Sequence, residues 1–284
     1  MRPALFLLLF GTAILGAQST HRYHGDLELD YYPAATDSNG GELLIYVHGG
    51  GFSGGSRAEG RDYCNFLSQN GVACASITYT LYMRGRTQDW SCNGILSEKL
   101  KTLQLAANET WAATAYLLGP ESPLPKRPER IFLAGSSAGA EAVLAAGFYD
   151  RTRLRLIDHR LDTAFRYSGI ISGAGAIIGL HLIPAENPTP LLLFHGTADP
   201  LVPYGTAPHH FCSPDDSGWM MLFGAGALAD YYDRIGGSYA LFRHEDAGHE
   251  IAGRYFRRDY PATLNFLRNV STNASFQQRY RISR

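Results

Sequence analysis

Short apolar runs alternate with helical stretches along nearly the whole chain, and this alternation limits the accessible folds more than any other feature. Leu27, Leu29 and Tyr31 alternate with polar residues, as an edge strand would. Glu42 to Val47 is a compact apolar strand, and Val72 to Thr78, entered through Asn70-Gly71, is another. Ile131 to Ala134, Tyr167 to Ile171 and Leu191 to Phe194 read as further strands, with Tyr239 to Phe242 as the last. Helices fill the gaps at Arg57 to Gln69, Leu96 to Leu118, Ala138 to Phe148 and Ala225 to Ile235, the last ending on a Gly236-Gly237 stop. Strands alternating with helices predict an α/β fold with a mostly parallel central sheet flanked by helices on both faces. In such sheets, ligands bind at the carboxyl ends of the strands.

The 284 residues suit one domain, and the 45% of apolar residues are enough for a full core. Met1-Arg2-Pro3 followed by an apolar stretch from Ala4 to about Ala17 has the pattern of a secretory signal peptide over residues 1–17, leaving a single domain over 18–284. That stretch is shorter than the ~20 apolar residues of a membrane span, so stable membrane insertion is not expected. The net charge of −1 supplies no field for nucleic acid, and there is no basic run. Secretion, or a periplasmic location, gives meaning to four cysteines, Cys64, Cys74, Cys92 and Cys212. They permit two disulfides in three connectivities. Cys64–Cys74 and Cys92–Cys212 are the preferred pairs, although sequence alone does not decide between the three. Sequons occur at Asn108, Asn269 and Asn273.

Three segments carry chemistry, and each follows a strand. Gly135-Ser136-Ser137-Ala138-Gly139 sits between a strand and a helix, the context a G-x-S-x-G nucleophile turn requires. There the Ser137 hydroxyl stands at a helix N-terminus, where developing negative charge is favoured. His48-Gly49-Gly50-Gly51-Phe52 is a glycine loop whose backbone N–H groups can approach a substrate oxygen. Gly50 and Gly51, with Ala138 beside the nucleophile, are the expected oxyanion donors. His48 reads as a structural hydrogen-bonding residue. A serine hydroxyl also needs a base. Of the ten histidines, His249 in Asp246-Ala247-Gly248-His249-Glu250 has the right strand-end loop. Asp199, in the loop His195 to Pro203 after the strand Leu191 to Phe194, is the expected acid, and Asp246 is the fallback. His195 is expected to shape the acid loop.

The order Ser137, Asp199, His249 resembles that of the α/β-hydrolase superfamily, and the resemblance covers nearly the whole chain after residue 17. The H-G-G-G-F string is similar to the hormone-sensitive-lipase and carboxylesterase branches. The chain departs from the lipase branch in having Ser136 where an Asp usually precedes the nucleophile. The segment His195-Gly196-Thr197-Ala198-Asp199 is more similar to the dienelactone-hydrolase and prolyl-oligopeptidase branches, which include bacterial feruloyl and acetyl xylan esterases. The resemblance implies a serine esterase acting through an acyl-enzyme on small-molecule or carbohydrate-linked esters, such as acetyl or feruloyl esters. A peptidase or amidase with the same triad and a non-catalytic hydrolase-fold binding protein are the alternatives.

Phe52, Tyr79, Tyr82, Trp90 and Trp219 are candidate pocket residues. The segment Thr206 to Gly224 reads as an insertion that a Cys92–Cys212 bridge would tie to Tyr79–Trp90 over the site. Gly173 to Gly179 misses dinucleotide-loop spacing by one residue, and His244 to His249 misses H-E-x-x-H spacing by one. No metal or organic cofactor is indicated. Oligomeric state is not legible.

Overall fold

The computed structural model describes residues 18–36, 41–87 and 90–283, so the expected signal peptide lies outside the described residues. The described chain runs through β1 (Ser19–His24), β2 (Leu27–Tyr32), β3 (Glu42–Val47), α1 (Arg61–Gln69), β4 (Ala73–Ile77), α2 (Leu96–Leu118) and β5 (Arg130–Ser136). It continues through α3 (Ala138–Phe148), β6 (Gly169–Gly173), β7 (Leu191–Gly196), β8 (Thr206–Pro208), β9 (Met221–Phe223), α4 (Ala225–Ile235), β10 (Tyr239–His244), α5 (Pro261–Ser271) and β11 (Gln277–Ile282). Strands β8 and β9 form a small antiparallel ribbon, and the others form one sheet in the order β1-β2-β4-β3-β5-β6-β7-β10-β11. From β4 to β11 all pairings are parallel; β1 and β2 add an antiparallel margin.

The alternation along each strand sends side chains to two cores. Leu43, Ile45 and Val47 of β3 face the layer built with α2, α3 and α4. Leu44 and Tyr46 face the layer built with α1 and α5. Both faces are therefore covered, which is why β3, β4 and β7 are buried throughout and mostly apolar rather than alternating.

Two expectations are corrected. Leu27–Tyr32 is not the edge strand, because β1 pairs outside it; and Tyr239–His244 is not the last, because β11 pairs beyond it in parallel. Both new strands are polar (Ser-Thr-His-Arg-Tyr-His and Gln-Gln-Arg-Tyr-Arg-Ile), since sheet margins bury little and tolerate charge. Helix α5 also escaped the sequence reading, although Pro261 stands at its first turn. The expected helix at 57–69 starts as a 3-10 segment, Arg57–Gly60, before α1 begins.

Both preferred cysteine pairs are disulfides: Cys64–Cys74 joins α1 to β4, and Cys92–Cys212 closes a separation of 120 residues. Of the sequons, Asn108 is fully buried. Its amide nitrogen donates to the carbonyls of Gln104 and Leu154 and its oxygen accepts from Leu156 N–H, so it is a packing residue. No described helix is long and apolar enough to cross a membrane.

Candidate active site

The chain order changes direction between β3 and β5: β4 lies on one side of β3, and the later strands lie on the other. Val47, the last residue of β3, is in register with Gly135 of β5. The glycine loop and the serine turn therefore leave the sheet side by side. Gly196 and His244 are in register at the ends of β7 and β10, so the loops that carry Asp199 and His249 also leave together. All four loops open at the carboxyl ends of the strands, at a topological switch point.

Ser137 has φ 54° and ψ −123°, a region that non-glycine residues rarely occupy. Helix α3 begins at the next residue, and the Ser137 N–H donates to Gly173 O at 2.7 Å, which fixes the turn to β6. A Cβ on Gly139 would run into the carbonyl oxygens of Val47 and His48, so the first turn of α3 lies directly against the end of β3.

The Ser137 Oγ lies 2.7 Å from His249 Nε2, and His249 Nδ1 lies 2.7 Å from Asp199 Oδ2. Asp199 is almost fully buried. Its Oδ1 accepts the backbone N–H groups of Leu201 (2.9 Å) and Val202 (3.1 Å). Its Oδ2 is also 3.2 Å from His195 Nε2. Burial alone would raise the Asp199 pKa, but the hydrogen bonds from His195 and His249 outweigh it, and the carboxyl is held well below the usual range. The loops that carry His249 and Asp199 are laced together: Thr197 N–H donates to His244 O, Ala198 N–H to Ala247 O, and Asp246 N–H to Thr197 Oγ1. Asp246 itself is exposed, and its side chain has no described bond to His249.

The N–H groups of Gly50, Gly51 and Ala138 donate to no acceptor within the described residues. Gly50 O instead receives Ser53 N–H and Gly54 N–H, so the loop curls back on itself. His48 is buried behind the loop, with Nδ1 2.7 Å from Gly49 O and its ring stacked on Tyr79 at 4.6 Å. Burial lowers its pKa, which suits a neutral structural residue.

A cleft of about 590 Å³ lies over Ser137 and is lined by Gly49, Gly50, Gly51, His249 and Trp90, among others. Of the five pocket candidates only Trp90 belongs to this lining. Phe52 is fully buried behind Trp90, with ring centroids 4.4 Å apart, and Tyr79 is buried against Phe52. Tyr82 faces away, its hydroxyl on Glu98 and the Arg86 guanidinium over its ring. Trp219 is half-buried outside the cleft. The aromatic cluster is a wall supporting Trp90, so burial rather than substrate contact accounts for most of it.

The expected insertion holds the β8–β9 ribbon, and its link to the segment after Trp90 is more than the disulfide. Leu96 N–H donates to Ser217 O, Gly218 N–H to Cys92 O, and Ser217 Oγ to Gly94 O. Lys99 Nζ donates to Gly218 O at 2.8 Å from a fully buried position.

Two further residues of the lining were not singled out from sequence: Glu141 and His209, both buried. Glu141 had a legible signal. It is the lone charge in the otherwise apolar helix Ala138–Phe148, one turn after Ser137. His209 had none beyond its place in a His-His pair.

No protein-family model matches the chain, and no curated protein sequence does. Solved structures do. The chain is similar to Thermogutta terrifontis esterase 2 phosphorylated by paraoxon, at 19% identity and TM-score 0.60, with 91% of this chain and 94% of that one covered. It is likewise similar to the native form of that esterase, from a Planctomycetes species (18%, TM-score 0.59, 92% of each chain). The propionate-bound form gives 17%, TM-score 0.59, and 93% and 94% coverage. At these identities the likeness shows the fold, and the chain has the α/β-hydrolase fold.

Proposed function

We propose that the chain is an exported serine hydrolase that cleaves carboxylic esters. The observation that carries this reading is the unbroken line from Ser137 Oγ through His249 to Asp199, with two hydrogen bonds of 2.7 Å, beside N–H groups that have no acceptor among the described residues. Ser137 attacks the ester carbonyl while His249 Nε2 takes its proton. The carbonyl oxygen becomes an oxyanion held by the N–H groups of Gly50, Gly51 and Ala138. Each such donor contributes about 3 kcal/mol to the barrier reduction. His249 then passes its proton to the departing alcohol. Water enters, gives its proton to His249, and attacks the acyl-enzyme; collapse of the second tetrahedral intermediate returns the proton to Ser137 and frees the acid. Asp199 stays ionised throughout and stabilises the imidazolium.

The likeness to an esterase studied with paraoxon and propionate supports the ester reading, and the cleft volume accommodates short acyl or aryl groups. Export is supported by the two disulfides, which persist in oxidising compartments, and by the leader-like residues 1–17. The deciding experiment is a chromogenic ester panel, from acetyl to long acyl chains plus a feruloyl ester, run on wild type and Ser137→Ala. Wild-type turnover with an inactive variant is expected. Turnover of amides but not esters would replace this reading with an amidase. No turnover by the wild type on either would leave a binding role.

A further inference from the structure

Glu141 and His209 lie in the lining of the cleft over Ser137, yet neither ring nitrogen of His209 has a hydrogen-bond partner among the described residues, and the Glu141 carboxyl has none there beyond the pull of the Trp90 indole N–H. Glu141 is 2% exposed and His209 0%. Buried polar groups are almost always bonded, because leaving one bare forfeits the water it gave up. A bare imidazole and an under-bonded carboxyl in one cleft mark a place where a ligand supplies the missing partners.

The surroundings select the chemistry of that ligand. Burial pushes the Glu141 carboxyl up to about 8, with Lys99 and the Trp90 indole pulling the other way. Burial and the nearby Lys99 charge hold His209 well below its ordinary value. Both groups are therefore uncharged near neutral pH. A neutral carboxyl and a neutral imidazole each offer one donor and one acceptor. The Lys99 ammonium opposes a cationic substrate group, and the nearby Asp199 carboxylate, which acts on both residues, opposes an anionic one. A hydroxyl, which both donates and accepts, matches the pair.

Resting on the serine-esterase reading, we propose that Glu141 and His209 are specificity-determining residues that bind a hydroxyl group carried by the substrate. The hydroxyl can belong to the acyl part, as in a hydroxylated aryl or aliphatic acid, or to the alcohol part, as in a partly acylated polyol or sugar. The chemistry at Glu141 and His209 is the same in both cases.

Matched ester pairs test this and separate the two sources. On the acyl side, methyl 4-hydroxycinnamate is compared with methyl cinnamate, and 3-hydroxybutyrate with butyrate esters. On the alcohol side, glycerol monoacetate is compared with propyl acetate. The wild type is expected to favour the hydroxylated member of one arm by about tenfold or more in kcat/KM, with the difference mainly in KM. In Glu141→Leu and His209→Leu that ratio falls towards unity. A merely structural role would lower both members together and leave the ratio intact, which would overturn the inference. A wild-type ratio near unity in both arms, with all esters cleaved, would overturn it while leaving the esterase reading in place. Hydrolysis of no ester would overturn both. If the leucine variants do not fold, Glu141→Gln and His209→Gln carry the test. These change which atoms donate and must alter the ratio by about threefold or more.

Discussion

His195 Nε2 and His249 Nδ1 converge on the same oxygen of Asp199, at 3.2 and 2.7 Å. His195 Nε2 is also 3.0 Å from Val202 O, so its single proton sits between the carboxylate and the loop that carries it. Asp199 is thus held by a second imidazole in addition to two backbone N–H groups. His195→Leu is expected to lower kcat about tenfold with little change in KM, because it loosens the acid without touching the cleft. His195→Gln, which restores a donor, should recover part of the loss. An equal effect of both substitutions on thermal stability with no change in kcat would show that His195 only packs.

Asp199→Asn should leave the fold intact and reduce kcat by about four orders of magnitude, since an amide favours the wrong imidazole tautomer. Steady-state kinetics beside a thermal melt checks this. Because the carboxyl is held well below its ordinary range, the acidic side of the pH–rate profile should not carry an Asp199 titration in the wild type.

Much of this site is legible in the sequence. The strand–turn–helix context of Ser137, the glycine loop after β3 and the loops after β7 and β10 are all local patterns, and local patterns survive in sequence. The two margins of the sheet are not legible, because β1 and β11 are polar and their pairing is set by neighbours distant in the chain. The pocket aromatics are legible as aromatics but not as wall or lining: Phe52 and Trp90 differ only in which side of one ring contact faces the cleft. His209 is hidden because its significance lies in what it lacks, and a missing partner leaves no mark on a sequence.

Gly50 has φ 109°, and a Cβ there would collide with Gly54 O. Gly50→Ala should therefore distort the loop that carries two of the three proposed oxyanion donors. A loss in kcat of about 10²–10³ is expected, with a smaller change in melting temperature. Unchanged kcat would remove the loop from the mechanism.

The Glu141 carboxyl should make stability fall with pH in a defined window. Its folded value of about 8 lies above the unfolded value of about 4.3, so between these the folded state holds a proton that the unfolded state has released. Within that window, stability falls as the pH rises. Glu141→Gln removes this dependence. The variant should melt above the wild type at pH 8, and the gap should shrink at pH 5.

Opening Cys92–Cys212 should act on both stability and the cleft. The closed loop is long, and releasing it is expected to cost about 3–5 kcal/mol through the entropy of the unfolded chain. Trp90 stands two residues from Cys92, so KM should rise in Cys92→Ser/Cys212→Ser more than in Cys64→Ser/Cys74→Ser. Equal KM values would place the bridge outside substrate binding.

The contact between Gly139 and the end of β3 has an implication for how such a chain can diverge. With no room for even a methyl group between the serine turn and the carbonyls of Val47 and His48, the spacing from Ser137 to the proposed oxyanion donors is a fixed gauge rather than an adjustable one. Inherited variation has little purchase there. It has far more in the β8–β9 insertion and the segment bonded to it, which border the cleft without belonging to the gauge. The cleft can therefore drift in descendants of this chain while the geometry around Ser137 stays as it is.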